Sequence, residues 1–548
     1  MKLRLFDYFV ALIIVVSVND CCISASVHHK TKFGSYKKCM ENNGISMWKV
    51  VDSFTNATFY NLYNYQWNKM FETVSPIAIF VPFSVSDVQT TVKCGFKSNI
   101  QLVPNSGGHS YAGLSSGTNG SIIVDFRYMN SIDINENEES VTVGPGAFVG
   151  QLHAKLWRAG GWGTGLGNCM TLGMGGHSIG GGVGYFSPLY GLVVDNTLEF
   201  KLVDARGNAV TANSTHNADL FWAMRGVGPG YIGMVTSVKI KLFKAKELKL
   251  TFTQIRYRLK DFRNVMENYT NWLDWVKQNE PSVASVIFIV NDNYNVPSQP
   301  IWPGIEVQLL HIQDPKIQPN SSTALLNALP KYFPGAVETV TNNPSYMEFV
   351  IATGYTPAAS PTVQSAQNSQ ASTISPLEKR LDFFIKMTKE MAISRYFFAK
   401  SFFVKKRLRS DELNEVQNVV NEIPNNTNGI MITSEQGTVA ARRAKDTAYV
   451  HRDSRFNVRL FFESIKVDGV VEGKKWTKKF MNATRFMDSG ETYQNYPDIE
   501  LEDYLSRYYG SNLEDLIRIK RKWDPNGYFD SRMSIPTARH EHGWIWNE

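Results

Sequence analysis

Two stretches crowded with glycine, "NSGGHSYAG" (105–113) and "GWGTGLGNCMTLGMGGHSIGGGVG" (161–184), restrict this chain more than any other feature. Each glycine costs a helix interior about 1 kcal/mol relative to alanine, and neither stretch alternates like a strand. Glycine does permit close approach: bare backbone can lie against a ligand and aim successive N–H groups at it, a nest suited to a pyrophosphate. The two stretches are therefore read together as the lining of one long cofactor, reached by one side chain from each, His109 and Cys169.

Three competing motif readings fail on context. "GHSIG" (176–180) matches the nucleophile elbow of serine hydrolases, with Ser178 as nucleophile, but the following "GGGVG" cannot supply the helix that an elbow requires. "GPGYIG" (228–233) matches a dinucleotide fingerprint, yet "MVTSVKIKL" after it alternates like a strand where a helix N-terminus is needed. "HEH" (540–542) has no partner cluster at ligand spacing, so no metal site is assigned.

The surrounding pattern is that of an α+β protein. From about 75 to 245, short strands ("PIAIFVP", "IQLVP", "SIIVDF", "SVTVGPGA") alternate with the helices "VSDVQTTVKCGFKS" and "FVGQLHAKLWRAG" and a hairpin, "TLEFKLVDARGNAVTA". Between 246 and 480 the strands and amphipathic helices lengthen, interrupted by a Ser, Pro, Ala and Gln-rich loop at 356–376. The tail, 481–548, carries the helix "SNLEDLIRIKRKW", with Ser511 and Glu514 at capping-box spacing and a stop at "DPNG".

Residues 1–25 have the layout of a cleavable secretory signal, which places the mature chain near Ser26 and the protein outside the cytosol. Seven sequons, at Asn56, Asn119, Asn213, Asn268, Asn320, Asn425 and Asn482, agree with export and glycosylation. No later segment is apolar for long enough to span a membrane. The net charge of +7 is scattered and lacks interleaved aromatic platforms, which argues against nucleic acid as a partner. Cys39, Cys94 and Cys169 remain after the signal. Cys39 and Cys94 could bridge, leaving Cys169 as a buried free thiol or one occupied by something other than protein.

The segments "SGGHSYAG", "GNCMTLGMGGHSIGGGVG", "NADLFWAMRGVGPGYIGMVTSVKIKL", "YQNYPD" and "YYGSNLEDLIRIKRKWDPNGYFDSRMSIP" together resemble the berberine bridge enzyme-like flavoproteins, within the vanillyl-alcohol oxidase and p-cresol methylhydroxylase type of FAD-binding fold. The resemblance runs from about 39 to 537 and is weakest between 250 and 440. It implies a two-subdomain FAD-binding domain (26–245), a substrate domain with an antiparallel sheet (246–480) and a C-terminal segment returning to the FAD domain (481–548). It also implies FAD tethered twice, through His109 to the flavin 8α-methyl and through Cys169 to C6. The cofactor-binding residues it implies are Asn105, Ser106, Gly107, Gly108, Ser110 and Gly113 from the first stretch. The second stretch adds Thr171, Leu172, Gly173, Gly175, Gly176, His177 and Gly180, and Gly233, Val235 and Tyr528 follow. Met170 departs from the family's usual proline.

The implied chemistry is oxidation of an alcohol or hemiacetal on a small-molecule substrate by a secreted monomer, with dioxygen or another electron acceptor. "YQNYPD" resembles the segment that carries the family's active-site tyrosine, with Tyr496 preferred over Tyr493 as base. A phenol is a poor base at neutral pH unless a cation stabilises its anion. Arg459 is the candidate, since Asn457, Arg459 and Phe461 share a strand face by two-residue alternation. It stands near where ring-forming members hold a catalytic glutamate, absent here, which favours simple oxidation of a carbohydrate or other alcohol. Tyr111 matches a substrate-facing position in sugar-oxidising relatives. Leu172 stands where valine tends to admit dioxygen and leucine to hinder it, which leans toward a dehydrogenase. A non-redox cyclase scaffolded on FAD is the alternative, and a serine hydrolase using Ser178 the distant one.

Overall fold

The structure, a computed structural model, describes residues 31–52, 54–55, 57–64, 66–293, 302–317, 324–354, 376–391, 394–425, 429–537, 539–540 and 543–544. The expected signal, Asn56, Asn320, Glu541, His542 and nearly all of the 356–376 loop lie outside these residues.

The first sheet is formed by β1 (Val50–Asp52), β2 (Ala78–Phe80), β3 (Leu102–Asn105) and β4 (Ile122–Asp125), in the order β1-β2-β4-β3. β2, β4 and β3 run parallel, and β1 pairs antiparallel with β2. β2 and β4 are buried throughout, so their apolar residues run continuously instead of alternating. The helix Val85–Lys97 crosses between β2 and β3, opened by Ser84, whose side chain accepts from the Asp87 amide. Cys94 on this helix forms a disulfide with Cys39.

The second sheet is antiparallel, β5-β6-β9-β7-β8, from β5 (Ile132–Asn135), β6 (Ser140–Val143), β7 (Thr197–Val203), β8 (Ala209–Asn213) and β9 (Met234–Lys241). The expected hairpin is β7–β8, and the segment after "GPGYIG" is the strand β9, which removes the dinucleotide fingerprint's helix.

Seven antiparallel strands make the third sheet: β10 (Lys249–Tyr257), β11 (Val283–Ile289), β12 (Ile305–Gln313), β13 (Glu338–Asn342), β14 (Tyr396–Val404), β15 (Ile430–Ser434) and β16 (Phe456–Ser464), ordered β13-β10-β12-β11-β15-β16-β14. Its strand residues alternate between two environments. Ile287, Ile289, Ile430, Ile432, Val458 and Leu460 join a core with the helices Phe262–Asn279, Asn414–Asn421 and Val467–Ala483. Val286, Phe288, Met431, Thr433, Arg459 and Phe461 face a cavity on the opposite side.

The chain then returns to the first two sheets, whose core takes in Tyr504, Tyr508, Tyr509, Leu516 and Ile519. The helix Leu513–Trp523 forms as expected but without the Ser511–Glu514 box. A 3-10 turn at Gly510–Asn512 leads into it, and Asn512 at the cap turns its amide to the Ala444 and Thr447 carbonyls.

Candidate active site

β3 ends at Asn105, and the loop beyond it is held closed by that residue. Asn105 Nδ2 donates to the Ser115 carbonyl (2.8 Å), tying the start of the loop to its end. His109 between them stacks on Trp67, with ring centroids 4.7 Å apart, and its Nε2 lies 2.9 Å from Thr171 Oγ1. That leaves Nδ1 as the ring nitrogen available to another atom. Burial, with Lys389 adding to it, lowers the His109 pKa to about 3, so the ring is neutral at physiological pH.

The same threonine hydroxyl meets Cys169 Sγ at 3.5 Å. Thr171 thus brings the two cysteine and histidine positions, 60 residues apart in sequence, onto one short stretch of cavity wall. Burial raises the Cys169 thiol's pKa. His177 accepts from the Gly167 amide through Nε2 (3.0 Å), and burial lowers its pKa to about 4. It is a neutral residue that locks the second glycine stretch to itself.

Ser178 is no nucleophile. It follows the short helix Met174–His177, is fully buried, and its hydroxyl has no hydrogen-bond partner among the described residues. An activated serine needs an adjacent base and an exposed oxygen.

The glycines divide into two kinds. At Gly107 a Cβ would sit 2.5 Å from the Gly173 amide nitrogen and 2.8 Å from the Thr171 carbonyl, so the two stretches need glycine to pass each other. At Gly176, which lines the cavity, a Cβ would meet nothing within 4 Å. Only the second kind keeps space open for a ligand.

The far wall comes from β16 and the C-terminal segment. Register places Arg459 opposite Met431 of β15 and Ser401 of β14, so its side chain projects from the cavity face of the sheet. Arg459 Nη1 donates to the Tyr111 hydroxyl (2.9 Å), and its guanidinium lies 5.0 Å from the Tyr496 ring centroid. Tyr111 and Tyr496 stack nearly parallel, 5.4 Å apart. Burial alone would pull Arg459 down, but Tyr111 and Tyr496 outweigh it and hold its pKa above the ordinary value, leaving a permanent cation. Tyr493 differs from Tyr496. Its hydroxyl oxygen accepts from the Gly182 amide (2.8 Å) and from Asn495 Nδ2 (3.2 Å), and burial pushes its pKa up. Tyr496 is half-buried and faces the cavity.

His109, Cys169, His177, Tyr111, Arg459, Tyr493 and Tyr496 line one cavity of about 750 Å³, which also takes in Ser106, Gly107, Gly108, Ser110, Leu172, Gly173, Gly175, Gly233 and Val235. Five of the residues expected to bind the cofactor do not line it. Asn105 and Thr171 support it from behind, Gly113 packs on Phe71, and Gly180 packs on Asn495. Tyr528 donates its hydroxyl to the Ile100 carbonyl (3.1 Å) and sets its ring against Phe96. Trp67 and Phe397, which flank His109 and Tyr111, escaped the sequence reading because neither sits in a recognisable motif.

Residues matching the FAD binding domain family span 76–213, and residues matching the family described as berberine and berberine like span 492–536. Together with the relatives that follow, these two matches support a berberine bridge enzyme-like FAD-linked oxidoreductase. It is 25% identical to berberine bridge enzyme-like 4 of Arabidopsis thaliana, over 96% of this chain and 98% of that one. It is also 25% identical to a chitooligosaccharide oxidase of Gibberella zeae, over 84% of this chain and 87% of the other. The solved structure of Physcomitrella patens BBE-like 1 superposes with a TM-score of 0.75 at 26% identity, covering 92% of this chain and 100% of that one. The two matched ranges contain His109, Cys169, Tyr493 and Tyr496, whereas β10 to β16 lie outside both.

The cavity fits FAD on its own chemistry. Trp67 Nε1, Ser115 Oγ, Tyr231 Oη, Arg459 Nε and Gln494 Oε1 all belong to cavity-lining residues, and each is buried with no hydrogen-bond partner among the described residues. Buried polar groups are satisfied as a rule, so such a set calls for a polar ligand.

Proposed function

We propose that this protein oxidises a CH–OH group of a carbohydrate or other alcohol, with FAD attached through His109 and Cys169 and with Tyr496 as the base. The observation that carries the reading is the Thr171 hydroxyl, which reaches both His109 (2.9 Å) and Cys169 (3.5 Å) on the wall facing Tyr496 and Arg459. The two attachment points the resemblance implies, the 8α-methyl and C6, lie on the same ring of the flavin, and two side chains sharing one hydroxyl are close enough to reach them both.

FAD, when bound, supplies the two-electron acceptor for a hydride from the substrate carbon. The chain's own residues handle the proton. Tyr496 takes it from the substrate hydroxyl, and Arg459 over its ring stabilises the negative charge that forms. Arg459 also fixes Tyr111 by donating to its hydroxyl, so the stacked pair presents one rigid edge to the substrate. No carboxylate occupies the Arg459 position, which leaves the site suited to simple alcohol oxidation instead of phenol-activated ring closure. The chitooligosaccharide oxidase among the relatives supports a sugar as substrate. Leu172 at the cavity wall supports an acceptor other than dioxygen. The N-terminal signal layout and the exposed sequons Asn119, Asn425 and Asn482 support export.

Acid precipitation of the pure protein should give a yellow pellet, and peptide mapping should find flavin on the peptides containing His109 and Cys169. Anaerobic addition of sugars and aromatic alcohols should then bleach the flavin band. A colourless pellet with both peptides unmodified would sink the attachment. A bound flavin that no sugar or alcohol bleaches would favour the non-redox cyclase.

A further inference from the structure

The segment between the helix Pro376–Ile385 and β14 reaches the His109 loop through Lys389. Gln151 Nε2 holds its start through the Met387 carbonyl (2.9 Å). Its end pairs with the segment carrying Trp67: the Arg395 amide donates to the Trp67 carbonyl (3.0 Å), and the Lys69 amide donates to the Arg395 carbonyl (2.8 Å). Between these anchors stands Lys389, only 3% exposed.

Lys389 Nζ donates to Asn105 Oδ1 (2.5 Å) and to Asp125 Oδ2 (3.2 Å). Asn105 in turn closes the loop through Ser115, and Asp125 is also held by Arg127 (2.9 Å). Gly108, in a left-handed conformation with φ of 73°, lies against the lysine stem, where a Cβ would meet Lys389 Cε at 3.2 Å. Lys389 does not line the cavity. A buried cation that reaches the chain on both sides of His109 without touching the ligand space acts through the loop.

We propose that Lys389 is the positioning residue that sets the His109 loop for attachment of the flavin, a role that rests on the reading of His109 as a tether. The segment from the third sheet thereby controls a bond made in the FAD-binding half. That bond joins an imidazole nitrogen to the flavin 8α-carbon. One proton leaves the methyl group and one leaves the imidazole, and the two electrons released pass to dioxygen, giving hydrogen peroxide. Nucleophilic attack needs a neutral ring, and Lys389 contributes, after burial, to keeping His109 unprotonated. Cys169 has no contact with Lys389 among the described hydrogen bonds and ion pairs, so its attachment provides an internal control.

The test compares the wild-type protein with Lys389→Met, Lys389→Gln and Lys389→Arg, using mass spectrometry to read flavin occupancy on the His109 and Cys169 peptides, with melting temperature alongside. We expect Lys389→Met and Lys389→Gln to lower the His109-to-Cys169 occupancy ratio by about 10- to 100-fold, the scale on which small misplacements slow a reaction. Lys389→Arg should recover most of the ratio. Flavin on Cys169 certifies that a variant's site has folded. If Lys389→Met yields no soluble protein, the Gln and Arg variants decide, and equal ratios in those two overturn the proposal. Wild-type occupancy of His109 in Lys389→Met and Lys389→Gln also overturns it. A wild-type protein with bare His109 instead defeats the tether reading itself, a distinguishable result.

Discussion

The two walls of the cavity are built on opposite principles. The wall from the glycine-rich half is largely backbone, and residues such as Gly107 and Gly173 are glycine because main chain passes main chain there. The wall from the seven-stranded sheet is made of alternate side chains, Val286, Phe288, Met431, Thr433 and Arg459 among them, on strands whose other face is held by helices. The first wall fixes the identity of its residues, and the second fixes only their spacing. Such a division lets the grip on a cofactor stay constant while the substrate face is free to change.

The sharpest way to break this contrast is to change one residue on each wall, adding a methyl group to the first and trimming a side chain on the second. Gly107→Ala sets a Cβ 2.5 Å from a backbone nitrogen that cannot swing aside, and should leave little flavin-containing protein, a loss of several kcal/mol, on the order of the larger overpacking penalties. Val286→Ala on the sheet should keep its flavin and melt only slightly earlier, with about 1 kcal/mol lost, and show its effect in KM. Equal flavin loss in both would erase the distinction.

Next in size are the two tyrosines. Tyr496→Phe should retain flavin and stability while the reductive half-reaction slows by about 10²- to 10⁴-fold, the ordinary contribution of a general base. Tyr493→Phe strands the buried Gly182 amide and should lower stability by about 1–3 kcal/mol with a smaller effect on rate. Stopped-flow reduction and thermal melts on the same samples separate the two, and the reverse pattern would exchange their roles. Leu172→Val tests the backbone wall more gently: reoxidation of the reduced flavin in air should quicken severalfold, with reduction unchanged.

A pH-dependent effect concerns the seam between the halves, where Arg452 pairs with Asp195 and Glu435 lies buried nearby. Burial raises the Glu435 pKa to about 8, against the pull of Arg452. Between its unfolded value near 4.5 and about 8, the folded protein keeps a proton that the unfolded chain has released, so stability falls as pH rises through that window. Glu435→Gln removes this slope, at most about 1.4 kcal/mol per pH unit. The variant should match wild type near pH 4 and melt higher by pH 8, whereas parallel melting curves would show that Glu435 is ionised in the fold.

Legibility followed the same division. His109, Cys169 and the tyrosine pair were readable because they sit in fixed local strings, and Arg459 because a strand's two-residue period assigns faces. Trp67 and Lys389 were not, because each reaches the site from a segment with no motif of its own, Trp67 stacking on His109 42 residues on and Lys389 bonding Asn105 across 284. Tyr528 sits in a matching string, and the packing that turns its hydroxyl to the Ile100 carbonyl could not be read from that string. The capping box failed, since Ser511 and Glu514 have the spacing but a preceding 3-10 turn places Asn512 at the cap.

By itself the sequence determined that two glycine-rich stretches could hold no long helix or regular sheet, only a single turn such as Met174–His177, and that a histidine and an unpaired cysteine lie within them. Local steric limits act over a few residues and are written in the chain. Only the tertiary structure decided that one threonine hydroxyl joins those two side chains, that Arg459 faces Tyr111 and Tyr496, and that a lysine from the third sheet's side braces the loop. Those contacts depend on how strands and loops far apart in sequence are brought into register, and no local pattern encodes that.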